Sequence, residues 1–329
     1  MIQATHAEPA LHEAHSGWLG RAWARAATVP GAVYLLAVMA VALSAATRGF
    51  LTVTNLTNVG LQAAVLTIVA VGMTLIILTE GIDLSLGSVL GLAGVVMGML
   101  VVGGWPLPLA IGAARGVGGA FGLLNGALIS FVEMPPFVVT LGTFGMAQSL
   151  AMVLTEGNSV TGLRASIRWF NEGVVAGVPV PIWATALTFA LTYGLLHHTK
   201  FGRYVFAIGG NRRALMLAGV RVRAYQTLVY VYGGLLAAVA AFIMTARMNA
   251  AHPTIAIGLE FDAIAAVILG GTSFERGRGG IVGTVVGAMA VSVLRNGLNL
   301  IGLGTEWQVA VVGIVIILAI AMDSLRGMA

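Results

Sequence analysis

The chain has 329 residues, of which 58% are hydrophobic and only 9% charged, and its mean hydropathy is +0.97. A soluble domain carries about 25% charged residues, so a water-soluble globule of this size is excluded. The absence of cysteine excludes disulfides and thiolate chemistry, and in so apolar a chain the net charge of +5 reads as basic cytoplasmic loops rather than nucleic-acid binding.

These numbers predict an all-α, polytopic helical membrane protein. Each crossing of the hydrocarbon needs roughly 20 apolar residues. The 45 glycines suit helices packed closely in lipid, where small residues let backbones approach. In soluble helices each would cost about 1 kcal/mol against alanine.

Residues 1–30, with His6, His12, His15, Arg21 and Arg25, lack a short apolar core followed by a small-residue cleavage site. They are expected to form a cytoplasmic N-terminal tail. About ten spans follow, at 31–47, 58–79, 84–104, 106–130, 136–155, 180–197, 224–246, 259–271, 279–298 and 306–322, the eighth being short. They make one transmembrane domain over 31–325. Between the second and third spans, Thr79-Glu80-Gly81-Ile82-Asp83 is too short for an extended loop. It is either a tight turn or a helix break whose opened backbone faces protein or water, because bare backbone cannot face lipid. Pro135 and Pro136 open the fifth span, where a missing N–H does no harm. The polar excursion 156–181 contains an interfacial piece, Ile167-Arg168-Trp169-Phe170.

With both termini in the cytoplasm, eleven of the seventeen Lys and Arg fall on that side. They include Lys200, Arg203, Arg212, Arg213, Arg221 and Arg223 of one basic segment, 200–223. The remainder, Arg48, Arg115, Arg164, Arg168, Arg247 and Arg295, lie outside or within spans. This asymmetry fixes the expected orientation.

An apolar helix, a glycine break and a second apolar helix occur around 77–88 and again around 268–283, five spans apart. An odd offset gives a five-plus-five inverted repeat of the kind found in transporters. Convergent use of glycine explains the echo as well.

The segment 211–219 reads as a short helix, with Asn211 capping its start and Gly219 ending it in the left-handed conformation. Ala214, Leu215, Leu217 and Ala218 give it an apolar face rimmed by Arg212 and Arg213. Two readings stand: a docking surface, or an ordinary basic loop on anionic lipid. Arg213-Ala214-Leu215 and Gly219 keep the spacing of the E-A-A-x-x-x-G motif of ABC permeases, with Arg in place of the acid. More specific text lies at GMTLIILTEGIDLSLGS (72–88), PPFVVTLGT (135–143), GRYVFAIGGN (202–211), DAIAAVILGGTS (262–273), GIVGTVVGA (280–288) and NGLNLIG (296–302). In this order, over about 50–325, the chain resembles the monosaccharide ABC permeases typified by the ribose permease. The resemblance implies a homodimeric permease of the bacterial inner membrane. It implies a sugar-binding protein outside and a separate cytoplasmic ATPase, which carries the ATP and magnesium, so that this chain binds no cofactor. It also assigns 211–219, through Asn211, Arg212, Arg213, Ala214 and Gly219, to ATPase coupling. Two positions depart from the family pattern: Glu80, where glycine is usual, and Arg115, where an apolar residue is expected.

A sugar crossing a membrane must exchange its water for hydrogen bonds that are numerous but weak, so neutral amides and hydroxyls suit its path. Asn125, Thr140, Thr143, Asn249, Asn296 and Asn299 are the candidate path residues, with Gln148, Ser149 and Gln308 beside them. The alternative for each is an interhelical hydrogen bond of about 0.6 kcal/mol. Glu80, Gly81, Asp83 and Asp262 form the expected helix-break or gate set. An acid near a span is a functional candidate by default, and both aspartates, Asp262 together with Glu260, could equally cap the helices that follow them.

His197 and His198 have no acid or cysteine nearby to complete a metal site and read as interfacial. No G-x-x-x-x-G-K-[ST] occurs, nor H-E-x-x-H, nor a catalytic acid cluster. The chain is expected to be a transport subunit without catalytic residues, driven by a partner ATPase. The other transport reading is an ion-coupled carrier of a small polar solute, for which Glu80 and Asp83 are the only supporting feature.

Overall fold

A computed structural model describes residues 31–163, 165–274 and 277–327. The expected N-terminal tail, with Arg21 and Arg25, lies outside the described residues, as do Arg164 and Arg276. Twelve helices are described. They are α1 (Gly31–Ala46), α2 (Val53–Leu78), α3 (Leu86–Val102), α4 (Leu107–Ser130), α5 (Pro136–Thr155) and α6 (Ala165–Glu172), then α7 (Val180–His198), α8 (Lys200–Leu217), α9 (Val222–Met248), α10 (Leu259–Leu269), α11 (Ile281–Leu300) and α12 (Thr305–Gly327).

A helix stands at each of the ten expected span positions. Six of them, α2, α4, α5, α7, α9 and α11, are long and apolar enough to cross a membrane. The apolar stretches Ala32–Ala46, Leu86–Val102 and Thr305–Val315 are shorter. With 11 residues, α10 rises about 16 Å, roughly half the ~30 Å hydrocarbon.

The central element is α2. Its sequence is apolar on every face, and nearly every side chain from Ala63 to Leu78 is buried, as expected of a helix inside a bundle. Thr52 caps it, accepting the Asn55 N–H at 3.3 Å. Its other end closes when Glu80 N–H reaches the Ile77 carbonyl and Gly81 N–H reaches that of Ile76, with Glu80 in the left-handed region at φ 60°. This is the paired closure that usually employs glycine.

Helices α7, α9, α10 and α11 pack around α2. Gly118, Gly122 and Gly126 line one face of α4 and rest on the α9 backbone. A side chain at Gly118 would run into the carbonyl of Gly234, and one at Gly126 would stand 2.7 Å from the Cα of Thr227. These contacts make α4 antiparallel to α9 and bring the start of α4 near the end of α9. By contrast α4, α5 and α7 present long exposed apolar faces, including Leu123, Phe137, Leu141, Leu150, Leu187 and Leu191.

The excursion 156–181 contains a short helix and a hairpin among its described residues. Within it, α6 buries Ile167 and sets Phe170 edge-on to Phe242 with ring centroids 4.5 Å apart. A small antiparallel hairpin follows, β1 (Val174–Val175) with β2 (Val178–Pro179), and Val160 pairs with Ala251 beyond the end of α9.

Candidate functional site

The first helix break gathers several of the expected residues. Asp83 is buried, and its Oδ1 accepts the Ser85 N–H at 2.8 Å and the Ser85 hydroxyl at 2.6 Å. The Asn125 amide donates to Ser85 Oγ at 2.9 Å and to Asp83 Oδ2 at 3.3 Å. The Asn125 carbonyl accepts the Thr143 hydroxyl at 2.7 Å. One chain of polar groups therefore joins the break to α4 and α5. Tyr230, buried on α9, reaches the Ile82 carbonyl at 3.5 Å and lies over Gly81, where it leaves no room for a side chain. Thr140, one turn before Thr143, is buried and bonds back to the Pro136 carbonyl of its own helix. Glu80 points out of this cluster and is exposed.

The second acid is arranged otherwise. Asp262 lies inside the first turn of α10, and Gly258 holds the cap position. Its carboxylate does not cap; it takes the Arg295 guanidinium of α11 at 2.6 Å. The capping contact belongs to Glu260, whose Oε1 accepts the Gly258 N–H at 3.0 Å while Oε2 is buried without a hydrogen-bond partner. That side chain abuts Gly87 of α3, so α10 packs directly onto the helix that follows the first break.

The remaining path candidates separate. Asn296 forms a reciprocal amide pair with Asn55, at 2.8 and 3.0 Å, tying α11 to α2. Asn249 is the left-handed C-cap of α9 and is exposed. Asn299 is exposed near the end of α11. Gln308 bonds to the Leu303 carbonyl, Gln148 is half-buried and Ser149 exposed. The structure thus brings Asn125 and Thr143 together with Asp83, and leaves Asn249, Asn296 and Asn299 elsewhere. Sequence reasoning gave no role to Ser85, Asn55, Tyr230 or Arg295. A signal existed only for Arg295, as an ionisable group inside an apolar run.

The basic segment is not a loop but a bent helix. Thr199 caps α8, and the helix bends at Asn211 (φ −161°, ψ 84°). Past the bend, Asn211 Oδ1 accepts the Ala214 N–H at 2.9 Å, and Gly219 closes the turn at φ 77° with Val220 N–H on the Leu215 carbonyl. Both ends sit where the sequence predicts them. The short helix presents Met216 and a Leu217 that is 85% exposed, beside an exposed Arg213 and half-buried Arg212. Before the bend, Gly209 packs so tightly on the Leu78 carbonyl and on Gly277 that no side chain would fit. Leu78 is the last residue of α2 before the first break. Arg223, at the start of α9, pairs with Glu133 at 2.8 Å in an exposed contact, the kind that contributes little to stability.

Arg115 lines a largely apolar cavity of about 350 Å³ between α4, α6, α7 and α9. It stands eight residues into α4, within about 12 Å of the helix start, from where a guanidinium can extend toward the interface. His197 stacks on Tyr193 with ring centroids 4.2 Å apart.

The family model described as branched-chain amino acid transport system / permease component matches residues 55–320. Over 296 residues the chain is 41% identical to the ribose import permease protein of Escherichia coli (strain K12), covering 89% of this chain and 92% of that relative. It is 41% identical over 290 residues to the ribose import permease protein of Bacillus subtilis (strain 168), covering 88% and 90%. It is 35% identical over 297 residues to the D-allose transport system permease protein of Escherichia coli (strain K12), covering 90% and 91%. No solved structure matches the chain. With these matches running nearly end to end over a bundle of apolar helices, the chain belongs to this family of ABC-importer permease components: it is a multi-pass membrane transport subunit, not an enzyme.

Proposed function

We propose that this chain is the membrane subunit of an ATP-driven importer of a neutral monosaccharide, a pentose or hexose. The observation that carries the reading is similarity over nearly the whole chain to proteins named for ribose import and D-allose transport. The matching family description names branched-chain amino acids, but the sugar permeases align over nearly all of both chains and are the more specific guide.

The coupling element is the capped helix 212–218. Asn211 and Gly219 fix its two ends, and exposed Leu217 and Met216 supply an apolar anchor for an ATPase that binds ATP and magnesium. Motion of that anchor is passed along α8 through Gly209 to Leu78, and so to the break at Glu80–Asp83. The cluster of Asp83, Ser85, Asn125 and Thr143 lies beside that break as the cytoplasmic part of the path. Both termini face the cytoplasm of a bacterium, about ten helical segments span or enter its inner membrane, and a second copy completes the path. A periplasmic binding protein delivers the sugar. The helix–break–helix units at 77–88 and 268–283 form the centres of two inverted repeats.

Reconstitution of the permease with its ATPase and binding protein tests this. Uptake of labelled ribose or allose should require ATP and persist when a proton ionophore is added at constant ATP. Leu217→Glu should weaken co-purification of the ATPase about tenfold, equivalent to some 1.4 kcal/mol. Undiminished co-purification would remove 212–218 from the interface.

A further inference from the structure

Two of the sequence-predicted path residues, Asn125 and Thr143, join the first break, yet the cavity best suited to a small polyol lies elsewhere. It has a volume of about 210 Å³ between α2, α9, α10 and α11, and is lined by Gln62, Leu66, Arg247, Asp262, Ser292 and Arg295 among others. Drug-sized ligands occupy pockets of about 300–1,000 Å³, so this one is scaled to a single small ring.

Its chemistry is mixed in the way a ring with vicinal hydroxyls requires. Asp262 offers carboxylate lone pairs, the Arg295 and Arg247 guanidinia only donate, and Gln62 and Ser292 do both. Leu66 supplies an apolar wall for the C–H face. Arg295 Nε is buried and has no hydrogen-bond partner, although its Nη2 holds Asp262 at 2.6 Å. An unmade bond on a buried charged group is costly, and a hydroxyl beside it would complete the set. A zwitterionic amino acid fits less well, because the one acid on the wall is already engaged by Arg295.

Position separates this cavity from the docking end. Arg247 is 25 residues along α9 from Val222, the residue at which that helix leaves the docking segment. At about 1.5 Å per residue this is roughly 37 Å, a full membrane thickness. The cavity therefore sits at the face opposite 212–218.

We propose that this cavity, with Gln62, Asp262, Ser292 and Arg295 on its wall, receives a neutral monosaccharide on the face of the permease away from the ATPase. The proposal rests on the sugar reading and adds a location and a residue set to it. Arg295 positions Asp262 through its Nη2.

Because the chain has no cysteine, Gln62→Cys supplies its single thiol. In liposomes holding the complete complex with its binding protein, modification by a small water-soluble thiosulfonate is timed with and without D-ribose or D-allose. Sugar should slow modification about threefold, the factor expected at twice the dissociation constant, and leave Thr188→Cys in the Arg115 cavity unchanged. Ser292→Cys gives the same readout should Gln62→Cys fail to assemble. Normal sugar uptake without slowing would overturn the site and spare the sugar reading. Neither uptake nor slowing would overturn both. Slowing at Thr188→Cys as well, or by L-leucine instead of sugar, would also overturn the proposal.

Discussion

Asp83 and Asp262 are both buried acids at the start of a helix that follows an interruption, and they are satisfied by different means. Asp83 draws its partners from a shared cluster: its own turn supplies the Ser85 N–H and hydroxyl, and α4 adds Asn125. Asp262 takes no helix N–H and instead depends on one guanidinium 33 residues away, beside an open cavity. Several weak neutral bonds tolerate the loss of any one of them. A single buried ion pair does not, because deleting one partner strands the other charge. The first break is therefore built to hold its shape. The second is built around a pair that lines a cavity.

The most severe test of this contrast is Arg295→Leu. It should cost about 3–5 kcal/mol, as removal of one partner of a buried pair does, read as a lower melting temperature of the purified protein. Adding Asp262→Asn should recover most of the loss, and a double variant no more stable than the single would break the argument. Asn125→Ala is the corresponding cut at the first break. The remaining Ser85 bonds should limit its cost to about 1–2 kcal/mol. A loss as large as that of Arg295→Leu would mean that the two acids are not held differently. The smallest effect is expected at Glu80. Its left-handed backbone at φ 60° disfavours a side chain by about 1–2 kcal/mol, partly offset by the greater chain entropy of glycine. Glu80→Gly should thus raise stability by about 0.5–1 kcal/mol, and a destabilised variant would show that the exposed carboxylate has a role of its own.

That backbone angle explains why glycine is usual at one of the two positions that depart from the family pattern. Position 80 terminates α2, and glycine is the ordinary residue for such a termination. Nothing in the structure explains why glutamate stands there. The other departure, Arg115, lines a largely apolar cavity rather than the cluster around Asp83.

Much of this protein was legible in its sequence because the controlling physics is local. Twenty-residue apolar runs must become helices in lipid, where backbone groups have no other partners. Asn211 and Gly219 mark the two ends of the short helix 212–218 through their own backbone and side-chain chemistry, and those ends fall where predicted. What the sequence could not determine was which polar side chains meet. Asn125, Asn249, Asn296 and Asn299 look alike as letters in apolar runs. Only packing decides that the first joins Asp83, the third pairs with Asn55, and the other two sit exposed at helix ends. The Asp262–Arg295 pair, and the cavity beside it, exist because Gly283 and Gly287 let α11 close onto Ala266 and Gly270 of the α10 segment. A contact between residues 33 positions apart depends on how two helices are docked, which no local pattern records.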